Sequence, residues 1–357
     1  MDISRASRRG WGFLLTVSLV VLTARMAAAI GPEEASGSGL SRFSLKIGAG
    51  RGNLPGRGGD LDLLRLHVQG LYAMWDAEPS YATTFDWEPM THVSEWPVEL
   101  VILLKPRLGI GLGSGLITAA NRGSYTWDYD RAMFSYGSGY ADDNHIVTKR
   151  DFKLRIIPAC LNLYVFQPIG ALTVYSYGGI GMYWGTMTHS STVDYELKRE
   201  TRSLYSTPPL YRKSEEYGKI TIDENLRKGS LGFQGGVGGE LALFSRISLG
   251  LEISGRHLVF AGWQGNSETD TTRLIKNWDQ YTGWSPDVTE HRSVTKQGTL
   301  WYSQIHDPLL DQDADAFVVE EAGISASALI GAQRQARIDL SSIGIIVTLK
   351  IHFGRSL

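Results

Sequence analysis

Three residues that could form a hydrolase triad, Glu252, Ser254 and His257, lie within six positions of one another. A serine hydrolase needs a histidine within hydrogen-bond reach of the hydroxyl, and a third group that orients the histidine. The surrounding sequence predicts a strand, whose successive side chains point to opposite faces. Glu252 and Ser254 would share one face and His257 would lie on the other, so this spacing argues against catalysis.

A second group, His189, Ser190 and Ser191, places a histidine two positions before a serine. This His-x-Ser pattern resembles that of barrel enzymes that deacylate lipid A, although Thr192 stands where that family has asparagine. The resemblance leaves a lipid-modifying outer-membrane enzyme as the less favoured alternative. The main prediction is that the chain is not an enzyme and has no catalytic residues.

Charged residues recur on the more polar face of several alternating segments. If those faces point into a closed sheet, opposite charges should pair there, because a desolvated and unpaired charge is destabilising. The interior would then be either a salt-bridged plug or a narrow polar conduit. The predicted network consists of Lys46, Arg155, Glu240, Glu252, Arg256 and Lys350.

The acidic run from Asp311 to Asp315 is a weak candidate for a cation site. An EF-hand loop needs glycine at its sixth position and glutamate at its twelfth. Ala316 and Ala322 stand at those positions. We therefore predict neither a metal site nor a cofactor.

The elements that would position the charged residues are strands with period-two alternation. In residues 343–353, for example, Ile345, Val347 and Leu349 alternate with Ile346, Thr348 and Lys350. In the segment of residues 152–166, the alternation of apolar and polar residues changes phase near Pro158. This predicts a bulge, because proline donates no ladder hydrogen bond. The alternating segments are residues 43–50, 98–105, 108–116, 152–166, 172–184, 231–243, 247–256 and 343–353.

Connections between these segments alternate between short and long. Short turns follow the second, fourth and sixth segments, and outer-membrane barrels keep short turns on one side and long loops on the other. The predicted fold is all-β, a transmembrane antiparallel up-and-down β-barrel of about eight strands, or ten if residues 317–337 add a hairpin. The predicted long loops are residues 52–96, 123–150, 187–229 and 261–340.

The first long connection contains apolar residues at helical spacing. Leu64, Val68 and Trp75 fit one face of a helix, and a strand with a bulge at Gly70 is the alternative. Four loop aromatics are predicted either to form an interfacial girdle or to be a recognition surface. They are Trp75, Trp87, Trp127 and Tyr129.

The beginning of the chain has the pattern of a secretory signal peptide over residues 1–29. A basic stretch with Arg5, Arg8 and Arg9 precedes an apolar run and the Ala27–Ala29 site. Residues 30–357 would then form the barrel domain. The net charge of −2 becomes more negative without this segment, so we expect no nucleic-acid partner. The single cysteine, Cys160, can form no internal disulfide.

With this signal pattern, eight alternating segments and a terminal strand containing Phe353, the chain resembles the small outer-membrane barrels of the OmpX, OmpW and OmpA-barrel type. The resemblance implies a bacterial outer-membrane location, with outer-membrane lipids and the barrel-assembly machinery as partners. We predict a non-enzymatic barrel whose surface loops serve binding, adhesion or envelope protection, with an extracellular ligand or host surface as a further partner. A narrow, porin-like pore for small molecules is the alternative.

Overall fold

The computed structural model describes residues 41–135, 138–206, 208–307, 312–320 and 334–356. The predicted signal peptide lies outside these ranges. The strands are β1 (Ser41–Asn53), β2 (Tyr81–Trp87), β3 (His92–Lys105), β4 (Leu108–Ser135), β5 (Ser138–Ile169), β6 (Leu172–Ser203), β7 (Leu210–Phe244), β8 (Ile247–Ala261), β9 (Gln264–Asp279), β10 (Gly283–Trp284), β11 (Val288–Asp307), β12 (Gln312–Glu320), β13 (Arg334–Gln335), β14 (Arg337–Asp339) and β15 (Ser342–Ser356). One helix, α1, spans Asp60–Trp75.

Within these ranges, the helix lacks the length and apolarity needed to cross a bilayer.

Eight strands pair antiparallel in a closed ring. Their order is β1, β3, β4, β5, β6, β7, β8 and β15, and β15 pairs again with β1. These eight strands contain the eight segments predicted from alternation. Among the described residues the sheet has fifteen strands, more than the eight to ten predicted, and the additional strands lie in the regions predicted as loops.

Side chains of the ring strands alternate between an exposed apolar face and a buried interior. On β15, Ile345 is 57% exposed whereas its neighbour Ile346 is 4% exposed. The predicted tight turns join β3 to β4, β5 to β6 and β7 to β8, all at one end of the ring. We call this the turn end.

The predicted bulge at Pro158 is wrong. β5 keeps one register against β6 along its whole length, with Pro158 opposite Tyr183. The Ser114 hydroxyl donates to the Pro158 carbonyl at 2.8 Å. Because the phase does not change, even-numbered residues of β5 face inward throughout and odd-numbered residues face outward.

Strands β4 to β7 continue far beyond the ring, at the end opposite the tight turns. There β2 pairs with β4, β9 with β7, β11 with β9, and β12 with β11. We call this second tier the extension. Its sheet runs from β2 to β12, and α1 contacts both of these strands and also β14. The stretches predicted as long loops are therefore largely strand and helix.

A large apolar core fills the extension around α1. Leu64 and Val68 of the helix are buried together with Tyr72 and Trp75, which confirms the helical interpretation over a strand with a bulge at Gly70.

The start of α1 is held by charged contacts. Two acidic residues, Asp60 and Asp62, lie in the first turn, where the helix dipole favours negative charge. Asp60 also accepts hydrogen bonds from Arg334 at 2.8 Å and from the Arg337 backbone at 2.6 Å. These contacts hold the helix against β13 and β14.

Candidate functional site

The interior of the ring near the turn end contains a buried ion-pair network centred on Lys46. The Lys46 ammonium lies 2.9 Å from a Glu99 carboxylate oxygen and 3.0 Å from Glu252. Strand register explains the first contact, because Lys46 is directly opposite Glu99 on β3 and Lys350 on β15. All three side chains of the ion-paired group are at most 6% exposed.

Polar side chains from β5 complete the coordination of Glu99. The Tyr164 hydroxyl donates to one carboxylate oxygen, and Asn162 donates to the other at 2.6 Å. Lys46 in turn donates to the Tyr164 oxygen at 2.7 Å. Glu99 thus has a partner for each oxygen, as a buried carboxylate requires.

Two tyrosines of β6 bind Glu252 in the same way. Tyr177 donates to one of its oxygens at 2.6 Å and Tyr175 to the other at 3.0 Å. Their rings lie 5.1 Å and 5.8 Å from the Lys46 ammonium, which gives cation–π contacts. Lys46 is consequently enclosed by carboxylates and aromatic rings.

Two further buried ion pairs flank this centre. Lys350 binds both oxygens of Glu240 at 2.9 and 3.0 Å. Arg256 binds Glu95 through both terminal nitrogens, at 2.7 and 3.1 Å. Bidentate pairing fixes geometry as well as charge. These pairs extend the network along the ring interior.

A small cavity lies inside the ring. A cavity of about 50 Å³ borders the Lys46 centre and the Arg256 pair, which is enough for a few water molecules. The inward glycines make room for long side chains. A Cβ on Gly111 would lie 2.0 Å from the Glu99 carboxylate, and one on Gly179 would lie 2.0 Å from the Asn162 amide oxygen.

Five of the six residues in the predicted network face the interior: Lys46, Glu240, Glu252, Arg256 and Lys350. Arg155 does not, because it is on the exposed face of β5. The error follows from the bulge assumed at Pro158. Tyr164, Tyr175 and Tyr177 were not among the predicted network residues, although Tyr164 lies between apolar neighbours and Tyr175 and Tyr177 share one face of a strand.

The four predicted girdle aromatics lie elsewhere than expected. Trp75, Trp87 and Trp127 are buried inside the extension, and Tyr129 stacks on Trp127 with ring centroids 5.7 Å apart. Trp75 lies on the buried face of α1 itself. Trp87, Trp127 and Tyr129 point toward the interior of the extension because odd-numbered residues of β2 and β4 face inward there. The exposed tryptophans of the ring surface are instead Trp96 and Trp184, at 54% and 50% exposure.

The two candidate catalytic groups differ in geometry. Ser254 is buried inside the ring and His257 is exposed, so they lie on opposite faces as predicted. His189 is buried in the extension, where its Nδ1 lies 2.9 Å from Glu224 and its ring stacks on Phe152 at 4.0 Å. Its Nε2 has no hydrogen-bond partner among the described residues.

No group of three or more His, Cys, Asp or Glu side chains in the described part of the chain is arranged to hold a metal ion.

The comparisons with known proteins give weak structural likenesses. No family model and no curated protein matches the chain. A major outer membrane protein from Thermus thermophilus is 12% identical, with 86% of this chain and 98% of that chain covered and a TM-score of 0.21. The outer membrane protease OmpT from Escherichia coli is 10% identical, with 88% and 94% covered and a TM-score of 0.18. A FadL homologue from Pseudomonas aeruginosa is 7% identical, with 87% and 89% covered and a TM-score of 0.16.

These likenesses do not assign a family. At such scores they carry no argument about activity.

Proposed function

We propose that the ring is a transmembrane β-barrel of the bacterial outer membrane, similar in strand number to the small OmpX, OmpW and OmpA-barrel type. The observation that carries the proposal is the distribution of side chains. Large apolar residues are exposed on all eight ring strands, while the charges lie inside in ion pairs. Closure also satisfies every strand edge of the ring, as hydrocarbon surroundings require.

The exposed apolar band has the height of a membrane. On β6 it runs from Leu172 to Trp184, a span of 13 residues. For a strand tilted at about 45°, that corresponds to roughly 28 Å along the barrel axis. Trp96 and Trp184 mark one border of the band, and Phe43, Phe244 and Phe353 lie near the other, which suits the aromatic girdles of such barrels.

We further propose that the barrel is a sealed anchor and that the extension faces the outside of the cell. Outer-membrane barrels keep their short turns on the periplasmic side, which assigns the turn end to that side. The role that fits this design is non-enzymatic binding, adhesion or envelope protection. Outer-membrane lipids, the barrel-assembly machinery and an extracellular ligand or host surface are the proposed partners, and no cofactor is involved.

The alternative, a narrow pore, is less well supported. The ring interior is occupied by Lys46 and its partners around a cavity of about 50 Å³. Beyond it, the apolar core around α1 fills the extension. A continuous aqueous path would have to displace both.

Single-channel conductance in planar bilayers tests the sealed anchor. The chain is refolded in detergent, and a heat-dependent shift in gel mobility first establishes that a barrel has formed. We expect no channel conductance from a chain that the gel shift has verified as a barrel. Discrete openings would overturn the sealed anchor in favour of the pore, whereas absence of the heat-dependent shift would overturn the barrel itself.

A further inference from the structure

Two outward-facing arginines lie directly above the apolar band. Strand register aligns Arg155 of β5, Thr186 of β6 and Arg227 of β7 in one row. The row below them contains Ile157 and Trp184, the last apolar residues of the band. Arg155 and Arg227 therefore occupy the first polar level above the proposed hydrocarbon region.

Both arginines point away from the interior. Leu226, next to Arg227, is completely buried, and Leu231, on the same face as Arg227, is 67% exposed. On β5, Ile157 and Leu161 share the face of Arg155 and are 49% and 51% exposed. Since both arginine side chains are exposed, a ligand in the surrounding lipid layer can reach them.

Neither guanidinium has an ion-pair or hydrogen-bond partner among the described residues. Arg122, on the same outer surface, differs because it lies 3.4 Å from Asp151. The acidic side chains nearest in register are Asp151 and Asp223, which lie two rows higher on β5 and β7. The first row is thus locally cationic.

The spacing of this row suits a large anionic group. Arg155 and Arg227 are separated by two strand intervals, about 9.6 Å between their backbones, and the Thr186 hydroxyl lies between them. The next row contains Thr188 and Asn225, together with Lys153, whose ammonium is paired with Asp151 at 2.8 Å. Arginine binds phosphate through two parallel hydrogen bonds. Two arginines at this distance can therefore bind two phosphate groups, or bind one headgroup from both sides.

We propose that Arg155, Thr186 and Arg227 form a binding site for the phosphorylated headgroup of an outer-leaflet lipid, whose acyl chains lie along the apolar band below. The site rests on the proposed membrane position of the ring. It gives Arg155 a role on the outer surface of the barrel, and it makes the β5–β7 wall a preferred position for one class of lipid.

The test uses the full chain in detergent micelles and measures lipid binding by titration and native mass spectrometry. The probes are bisphosphorylated lipid A and the same glycolipid after removal of its phosphates. The variants are Arg155→Ala, Arg227→Ala and the double substitution, with Arg122→Ala as the matched control. We expect roughly tenfold weaker binding of the phosphorylated lipid for each single substitution, because a hydrogen bond to a charged group is lost. The control should change binding less than twofold.

Equal affinity for the two lipids, or unchanged affinity in the double variant, would overturn the site. Displacement of the lipid by inorganic phosphate at equal concentration would also overturn it, since the site would then bind soluble anions. Failure of the unsubstituted chain to insert into phosphatidylcholine vesicles would instead refute the membrane position of the ring. A chain that inserts normally but does not distinguish the two lipids loses only the headgroup site.

Discussion

Lys46 is the residue on which the interior of the ring depends. It is shared by Glu99 and Glu252, and both carboxylates are also held by tyrosine hydroxyls. A buried ion pair contributes little compared with a well-packed apolar substitute, but removal of one partner leaves the other charge uncompensated. The network is therefore sensitive to any single deletion.

Glu252→Ala should destabilise the ring strongly. The substitution removes one of the two carboxylates of Lys46 and the acceptor of both Tyr175 and Tyr177. We expect a loss of about 3–5 kcal/mol in the free energy of unfolding, measured by urea titration of the heat-dependent gel shift. Glu268→Ala, on the exposed face of β9, is the control and should change stability by less than about 0.5 kcal/mol. A fully stable Glu252→Ala barrel would argue against a structural network.

Two glycines, one in the ring and one in the helix, should respond oppositely to alanine. A Cβ on Gly111 would lie 2.0 Å from Glu99 and 2.7 Å from Tyr164, whereas one on Gly70 would have no atom within 4 Å. Gly111→Ala should therefore lower the free energy of unfolding, measured by the same urea titration, by about 1–3 kcal/mol. Gly70→Ala should raise it by up to about 1 kcal/mol, because alanine favours a helix. Equal effects would contradict the tight packing around Glu99.

At the scale of elements, α1 joins the two edges of the extension. Its buried face packs against β2 and β12, and its first residue binds Arg334. Its contacts with both strands hold the two ends of the extension sheet around one apolar core.

Leu64→Ala should loosen the extension and leave the ring folded. Leu64 is fully buried, and its truncation should cost about 2–5 kcal/mol. The measurement is limited proteolysis, with cleavage expected in the extension while the heat-dependent gel shift persists. Leu66→Ala, at a position 46% exposed, should behave as the unsubstituted chain. Simultaneous loss of the gel shift would mean that both tiers unfold as one unit.

The ring strands are predictable from the sequence and the extension is not, for a physical reason. Exposed apolar side chains on one face and buried side chains on the other give the ring strands a clear period of two, as in Ile345 and Ile346. In the extension, the outer faces are exposed to water and the inner faces contain both apolar and polar residues. The sequence of a strand such as β9 therefore has the composition expected of a polar loop. The network residues follow from the same alternation. The sequence misplaces Arg155 because a proline suggests a break in phase, although β5 continues through it.

At the scale of the whole molecule, the chain has two tiers that share four strands. The lower tier has an apolar outside and a charged inside, and the upper tier has an apolar inside around α1. The face that carries the apolar side chains therefore changes from the outside to the inside along β4 to β7, at the level of Ile157 and Trp184. This reversal is what defines the upper border of the proposed membrane band.

Tryptophan quenching by brominated lipids tests that border. Trp96 and Trp184 are exposed on the ring and should account for most of the quenching in inserted chains. The double variant with phenylalanine at both positions should lose most of this signal. Trp284→Phe, at an exposed site in the extension, is the control and should retain it. Full quenching in the double variant would place the bilayer at another level.

In the proposed membrane position, the continuity of the long strands determines how far the distal end of the extension lies from the bilayer. β7 runs unbroken from Leu210 to Phe244, and its part above the band, residues 210–228, amounts to about 60 Å of strand, or roughly 40 Å of height at a 45° tilt. Strands that are hydrogen-bonded on both sides resist bending, whereas free loops sample many positions. The distal end would act as a stiff spacer, which holds any contact surface at a set distance from the bilayer and not within a range of distances.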